Sequence, residues 1–318
     1  MQTIKGFKNL PSGLRGSALA IGNFDGVHRG HQMLLAQARA AAQETCRDGG
    51  RPLAGAMVFE PHPREFFHPE RSHFRLTELD QKLALFEKYG LDLVVVAPFD
   101  KDFASLDAAA FVRDILVDAL GVRHIVIGYD FMFGRNRSGA AHDIKRMGAE
   151  FGFGVTVVAP VAEGGEVISS SAIRAEIAQG DVKGAAEMLG HWWAVKGMVV
   201  GGFKQGTGMG YPTANITLPR STPLAYGIYA VLVDTPEGRH QGAAYLGTRP
   251  TFDNGPPVLE VFLFDFSGNL YDHEITVSFV EFIRPDQRFE GMEALIKQMD
   301  HDCAKARQIL AAAPSYDL

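Results

Sequence analysis

At about 150 residues per domain, 318 residues predict two domains, and 46% hydrophobic with 21% charged residues is the make-up of an ordinary globular chain, which excludes disorder, collagen and coiled coil. Thirty-one Lys and Arg against 37 Asp and Glu leave a net charge of −6. With no basic excess to neutralise a phosphate backbone, nucleic acid is excluded as an expected partner.

Strand-like runs at residues 18–24, 53–59, 93–97, 124–128 and 154–161 alternate with amphipathic helical spacing at 32–43, 78–89 and 107–120. That alternation predicts a doubly wound, Rossmann-like α/β domain with a parallel sheet. Residues 169–190 read as two short helices split by Gly180 and Asp181. Between residues 185 and 192 the pattern changes, giving expected domains 1–187 and 188–318. From Trp193 to Ile283, glycine-punctuated short strands such as 226–233, 258–266 and 275–282 predict a small antiparallel β-barrel, followed by a C-terminal helix over 288–310. No apolar run reaches the roughly 20 residues of a membrane span, so no membrane partner is expected. The two cysteines, Cys46 and Cys303, are too few for a disulfide framework, which reads as cytoplasmic. Oligomeric state has no signature in the sequence.

The first strand runs into Gly22-Asn23-Phe24-Asp25-Gly26-Val27-His28-Arg29-Gly30-His31, and a helix follows at once. A strand feeding a helix through glycines offers backbone N–H groups and the positive helix end to an anion, so phosphate is the expected guest. His28 and His31 are three apart on one side of that helix start, placed to donate to phosphate oxygens; ordinary polar surface histidines are the rival reading. Asp25 reads as a turn former, not a base.

This stretch resembles the H-x-G-H nucleotidyltransferases, in the wording used by the adenylyltransferase module of bacterial bifunctional riboflavin kinase/FAD synthetases. Three further stretches resemble the same module in order: Phe59-Glu60-Pro61-His62-Pro63, Gly128 to Gly134, and Ile168-Ser169-Ser170-Ser171-Ala172-Ile173-Arg174. The resemblance implies ATP contacts at Gly22, Asn23, Phe24, Gly26, Gly30, Ser169, Ser170, Ser171 and Arg174, with His28 and His31 acting on the reacting phosphate. Serines before an apolar helical run also serve as caps, but capping leaves Arg174 unexplained. His62, Asp130 and Phe131 follow strand ends, where ligands collect in open α/β sheets, and are candidate flavin contacts. For His62 a rigid turn competes with that role, and for the aromatics a buried cluster does.

In the second domain, Gly201, Gly206 and Gly210 punctuate a loop that carries Lys204 and enters Tyr211-Pro212-Thr213-Ala214-Asn215. Glycines alone also suit a hairpin. Thr213 and Asn215 are two apart in an extended segment, so a hydroxyl and an amide oxygen share a face and can hold one Mg²⁺. Glu260 alternates with Val258, Phe262, Phe264 and Phe266, an acid in an otherwise apolar register. In the riboflavin kinase module that this half resembles, phosphorylating an alcohol requires a group that takes its proton; the resemblance implies Glu260 in that role, with desolvation by those neighbours expected to raise its pKa, and an outward-facing residue at a barrel rim is the rival reading. The loop and Pro-Thr-Ala-Asn resemble the riboflavin kinase module. That likeness implies ATP contacts at Gly201, Lys204, Gly206, Gly210, Thr213 and Asn215, and flavin contacts at Arg284 and Phe289. Thr207 departs from the basic residue usual in that family. Together the two resemblances imply an enzyme with two sites, one making FMN from riboflavin and ATP, the other making FAD and pyrophosphate from FMN and ATP, with Mg²⁺ at both.

Overall fold

Apolar runs that are buried on both sides make the central strands of the first sheet. In the computed structural model, which describes residues 1–7, 10–45, 51–71, 73–200, 211–219, 221–247 and 257–316, the chain forms two units, Met1–Ser169 and Ser170–Leu318. The first contains β1 (Gln2–Lys5), β2 (Ala18–Ile21), β3 (Ala54–Glu60), β4 (Leu93–Pro98) and β5 (His124–Gly128), the short pair β6 (Met132–Phe133) and β7 (Gly139–Ala140), β8 (Gly154–Val158), and the short pair β9 (Ala162–Glu163) and β10 (Glu166–Val167). Six of these form a sheet in the order β1-β4-β3-β2-β5-β8, with every pairing parallel. Its helices are α1 (Arg29–Thr45), α2 (Pro63–Phe67), α3 (Leu79–Lys88), α4 (Lys101–Ser105), α5 (Ala108–Ala110), which continues as a π-helix over Phe111–Ala119, and α6 (Ala141–Phe151).

Alternation along β2 shows why the strands read as unbroken apolar runs. Leu19 and Ile21 join Ile115 and Leu116 of the π-helix and Ile144 of α6 on one face. Ala18 and Ala20 join Leu34 and Leu35 of α1 and Phe86 of α3 on the other. The sheet is therefore covered on both sides, as a doubly wound fold requires. Its strand order reverses at β2, with β3 and β4 to one side and β5 and β8 to the other, so the carboxyl end of β2 opens at the switch point where ligands bind in such sheets.

The second unit begins with α7 (Ser170–Gln179) and α8 (Val182–Leu189), ahead of the 187/188 position at which the pattern changes in sequence. Ala186 of α8 packs among Trp192 and Val280, which ties this helix to the barrel. Strands β11 (Ala194–Met198), β12 (Thr213–Thr217), β13 (Gly227–Thr235), β14 (Gly238–Gly247), β15 (Val258–Leu263) and β16 (Glu274–Pro285) lie in the order β11-β16-β13-β14-β15-β12, all antiparallel. Val200, just beyond β11, donates its N–H to the Asn215 carbonyl at 2.9 Å, which nearly closes the sheet into a barrel. Helix α9 (Met292–Ala312) sets Ala306 and Leu310 against Ala230, Ala243, Phe264 and Val280.

Gly55 sits in the middle of β3, where an added Cβ lies 2.7 Å from both Leu19 Cδ2 and the Leu93 carbonyl oxygen. Overpacking between two central strands costs roughly 1–3 kcal/mol. Gly55→Ala is therefore expected to lower the melting temperature of the first unit, measured by calorimetry, and to leave the transition of the barrel in place.

Candidate active sites

Between Ile21 and Arg29 the chain makes a turn that local propensity disfavours. Phe24 and Val27 are fully buried yet have φ of 49° and 41°, and Gly26 between them has φ of 86°. Left-handed backbone at a β-branched residue costs of order 1–3 kcal/mol and persists only where its surroundings impose it. Phe24 sets its ring edge-on to Phe86, centroids 5.3 Å apart. The Asp25 carboxylate accepts from the N–H groups of Leu76 at 2.8 Å and Thr77 at 3.3 Å, a turn-bracing role. Gly26 N–H donates to Thr77 Oγ1 at 3.0 Å, and Gly22 N–H to the Met57 carbonyl at 3.2 Å. Those two amides, expected to face an anion, are thus engaged by protein. Among the described residues, the N–H groups of Asn23, Phe24, Arg29 and Gly30 have no protein acceptor. Arg29 and Gly30 open α1, and Asn23 and Phe24 lie in the turn before it; amides of this kind are donors that an anion can engage.

His28 and His31 stack, ring centroids 3.6 Å apart. His28 Nδ1 accepts from the His31 N–H at 3.3 Å, so a neutral His28 ring carries its proton on Nε2. Burial, then the proximity of His28 and Lys82, holds the His31 pKa well below 6.5. Gly30 leaves space for the pair, since a Cβ there lies 3.1 Å from the His28 ring. Lys82 of α3 donates to the Asn23 carbonyl at 2.7 Å, a contact with no motif around it in the sequence.

His62 caps α2, its Nδ1 accepting from the Arg64 N–H at 3.1 Å, with its ring 4.6 Å from that of His73. Arg75 binds both Glu60, at 2.8 and 3.0 Å, and Glu65, at 2.5 and 2.6 Å, fixing the segment that carries Leu76 and Thr77. Asp130 is exposed. Phe131 stacks on Phe133, which belongs to the core, and a row of rings continues from Phe133 through Phe111, Phe103 and Phe99 to Phe66 at centroid distances of 5.4–5.9 Å. Only Phe131 and Phe133 of that row stand out in sequence. Ser169 closes the first unit, while Ser170, Ser171 and Arg174 open the second, where Arg174 Nη1 donates to the Ser170 carbonyl at 3.1 Å.

Gly201, Lys204, Gly206 and Gly210, with Thr207, lie outside the described residues. The register of β12 against β15 sets Asn215 directly opposite Glu260 and Thr213 opposite Phe262, so all four share one face. The other face of β15, made by Leu259, Val261 and Leu263, is the fully buried one, leaving Glu260 half-buried. Asn215 is 5% exposed; its Nδ2 donates to the Thr213 carbonyl at 3.3 Å, which turns Oδ1 the other way as an acceptor. On the opposite flank Tyr245 of β14 faces Glu260 and donates to Asp286 at 3.1 Å. Burial first, then Asp286, pushes the Tyr245 phenol up to about 12. Arg284 is held by the carboxylate of Asp302 at 2.7–3.0 Å, and its guanidinium lies 5.7 Å from the centre of the Phe289 ring. The two expected flavin contacts are therefore together, with Arg284 committed to α9. Tyr211 also binds α9, donating to Asp300 at 2.5 Å. Tyr245, Asp300 and Asp302 had no distinguishing neighbours in the sequence.

Burial first, then His73, lowers the His62 pKa from 6.5 to about 4. Between those values the unfolded chain binds a proton that the folded chain refuses, so the first unit loses stability as pH falls through this window. His62→Asn keeps a capping acceptor and removes the titration. In urea melts at about pH 7.5 and about pH 5, its acid loss is expected to be smaller than the parent's by about 1 kcal/mol after allowing for solvent screening.

Comparison with known proteins meets this geometry from the other side. Residues 10–172 match the FAD synthetase family and residues 189–310 the riboflavin kinase family. The bifunctional riboflavin kinase/FMN adenylyltransferase of Pseudomonas fluorescens is 41% identical over 316 residues, 99% of each chain. The protein of that name from Escherichia coli strain K12 is 39% identical over 310 residues, 97% of each. A solved structure described as a macrolide-efflux protein from Streptococcus pneumoniae superposes with a TM-score of 0.83 at 29% identity, covering 96% of this chain and 98% of that one. Among the described residues, no helix is long and apolar enough to cross a membrane. Two families matched in tandem by one chain, with relatives alike from end to end, leave a single conclusion: the chain belongs to the bifunctional riboflavin kinase/FMN adenylyltransferase family.

Proposed function

We propose that the family's two reactions are divided between the Gly22–His31 turn, within residues 1–187, and the β12–β15 pair, within residues 188–318. Riboflavin kinase activity converts riboflavin and ATP to FMN and ADP, and FMN adenylyltransferase activity converts FMN and a second ATP to FAD and pyrophosphate. The reactions differ in one chemical demand. The phosphate of FMN is already an anion and needs no base, whereas the ribityl hydroxyl of riboflavin must lose a proton.

The first site matches its demand. Four backbone N–H groups without protein acceptors and two stacked imidazoles, His28 with its Nε2 proton, supply donors for charge on the α-phosphate as pyrophosphate leaves. Asp25, the carboxylate of the turn, is occupied by two amides. We assign Ser169, Ser170, Ser171 and Arg174 to the ATP phosphates by family likeness, and Phe131, at one end of the phenylalanine row, to the flavin with His62 and Asp130.

At the second site one observation carries the reading: Glu260 stands directly across the ladder from Asn215. Asn215 Oδ1 and the Thr213 hydroxyl are hard oxygen donors, the kind Mg²⁺ prefers, and would hold the ion alongside ATP phosphates. When bound, Mg²⁺ supplies charge neutralisation on the transferring phosphate. Glu260 takes the hydroxyl proton, and Arg284 with Phe289 edges the flavin position. Two cysteines in the whole chain support a cytoplasmic setting.

Purified protein given riboflavin, ATP and Mg²⁺ is expected to yield both FMN and FAD on chromatographic separation; FAD from added FMN, but no FMN from riboflavin, counts against the kinase site. Glu260→Gln is expected to cut FMN formation by about 10²-fold or more while FAD formation from supplied FMN continues. Replacing His28 and His31 by alanine is expected to give the mirror image, with FAD formation lost by about 10³-fold and FMN formation retained. Equal loss of both activities in either variant defeats the division.

A further inference from the structure

Lys82 is 5% exposed, and among the described residues no carboxylate lies within ion-pair distance of its ammonium. Its nearest partner is neutral, the Asn23 carbonyl at 2.7 Å. Burying an ammonium is costly, a cost that the fields of Asp25, Glu60 and Glu78 offset without direct contact, and a brace for one carbonyl needs no charge. The bond is better understood through the peptide it engages. In a trans peptide the carbonyl and the N–H point in opposite directions, and the N–H that shares a plane with the Asn23 carbonyl is that of Phe24. Phe24 N–H is one of the donors without a protein acceptor. Drawing the oxygen towards α3 therefore aims the Phe24 N–H away from α3, on the side opposite Lys82. A cation on the oxygen also polarises the amide and makes the N–H a stronger donor.

From this geometry we infer that Lys82 is a positioning residue for adenylyl transfer, holding the Asn23–Phe24 peptide so that the Phe24 N–H meets a phosphate oxygen of ATP. The inference rests on the assignment of that reaction to the Gly22–His31 turn. Neighbouring contacts serve the same end, since Thr77 and the amides of Leu76 and Thr77 grip Gly26 and Asp25 from the segment preceding α3. Lys82 differs from them in bringing charge.

The test compares Lys82→Met, which removes bond and charge, with Lys82→Gln, which keeps a donor and removes charge. With saturating FMN and ATP, kcat for FAD formation is expected to fall about a hundredfold in Lys82→Met, the scale of losing one oxyanion donor, with KM for FMN unchanged. Lys82→Gln is expected to recover part of that loss. FMN formation from riboflavin by the same preparations provides the internal control and is expected to match the parent. A Lys82→Met protein with lowered thermal stability but parental kcat in its folded fraction shows a merely structural lysine and overturns the inference; if that variant does not fold, parental kcat in Lys82→Gln overturns it equally. His28→Ala run alongside separates the two levels. Loss of FAD formation in His28→Ala with none in Lys82→Met defeats only the lysine, whereas parental activity in His28→Ala defeats the placement of the reaction itself.

Discussion

The first site depends on a stretch of backbone that is unfavourable where it stands. Phe24 and Val27 occupy left-handed conformations while burying apolar side chains completely. Burial offsets the strain: extracting either side chain from the core costs about 1.5–3 kcal/mol, the same order as the turn stores. The outcome is a chain reversal with its anchors pointing inward and several of its N–H groups pointing away from protein. His28 inherits its geometry from the same turn, because the amide three residues on selects its tautomer. Rigid donors of this kind need no reorganisation as charge develops on a substrate.

The second unit solves a different problem by ordinary means. Its candidate site face is set by ladder pairing, Asn215 to Glu260 to Tyr245 across three adjacent strands, and the helix beyond is tied down by Asp300 and Asp302. Asp302 is nearly inaccessible, and Arg284 supplies the charge that makes burying it tolerable. An arginine that family likeness assigns to flavin is therefore also a structural tie, and its guanidinium lies 5.7 Å from the centre of the Phe289 ring.

How much of this was legible depended on distance along the chain. The β2 strand, the His28–His31 pair and the Thr213–Asn215 pair are each written in a few consecutive residues, where period and spacing carry the meaning. Glu260 was visible as an acid out of place in an apolar register, although the fully buried face of its strand is the alternate one, Leu259 to Leu263. Contacts spanning 51 to 59 residues, such as Thr77 to Gly26 and Lys82 to Asn23, left no local trace, since a lysine within an amphipathic helix looks like any solvated one. Edge strand β1 escaped notice for a similar reason, its four mostly exposed residues lacking strand-like burial until β4 offers them a partner. The predicted helix at 107–120 exists, but its π-helical winding over Phe111–Ala119 is a tertiary outcome.

Because Glu260 and Asn215 are matched across a hydrogen-bonded ladder, the gap between the proposed proton acceptor and the proposed metal-binding oxygens is measured by the sheet itself. Connections leaving β12, β14 and β15 can then lengthen, shorten or change composition over evolutionary time while that spacing holds. A single residue gained within β15, by contrast, turns the acid to the opposite surface, and one gained within β12 does the same to the side chains it faces. Relatives of this chain should therefore tolerate indels between these strands far better than inside them, and the barrel acts as a ruler whose graduations outlast its margins.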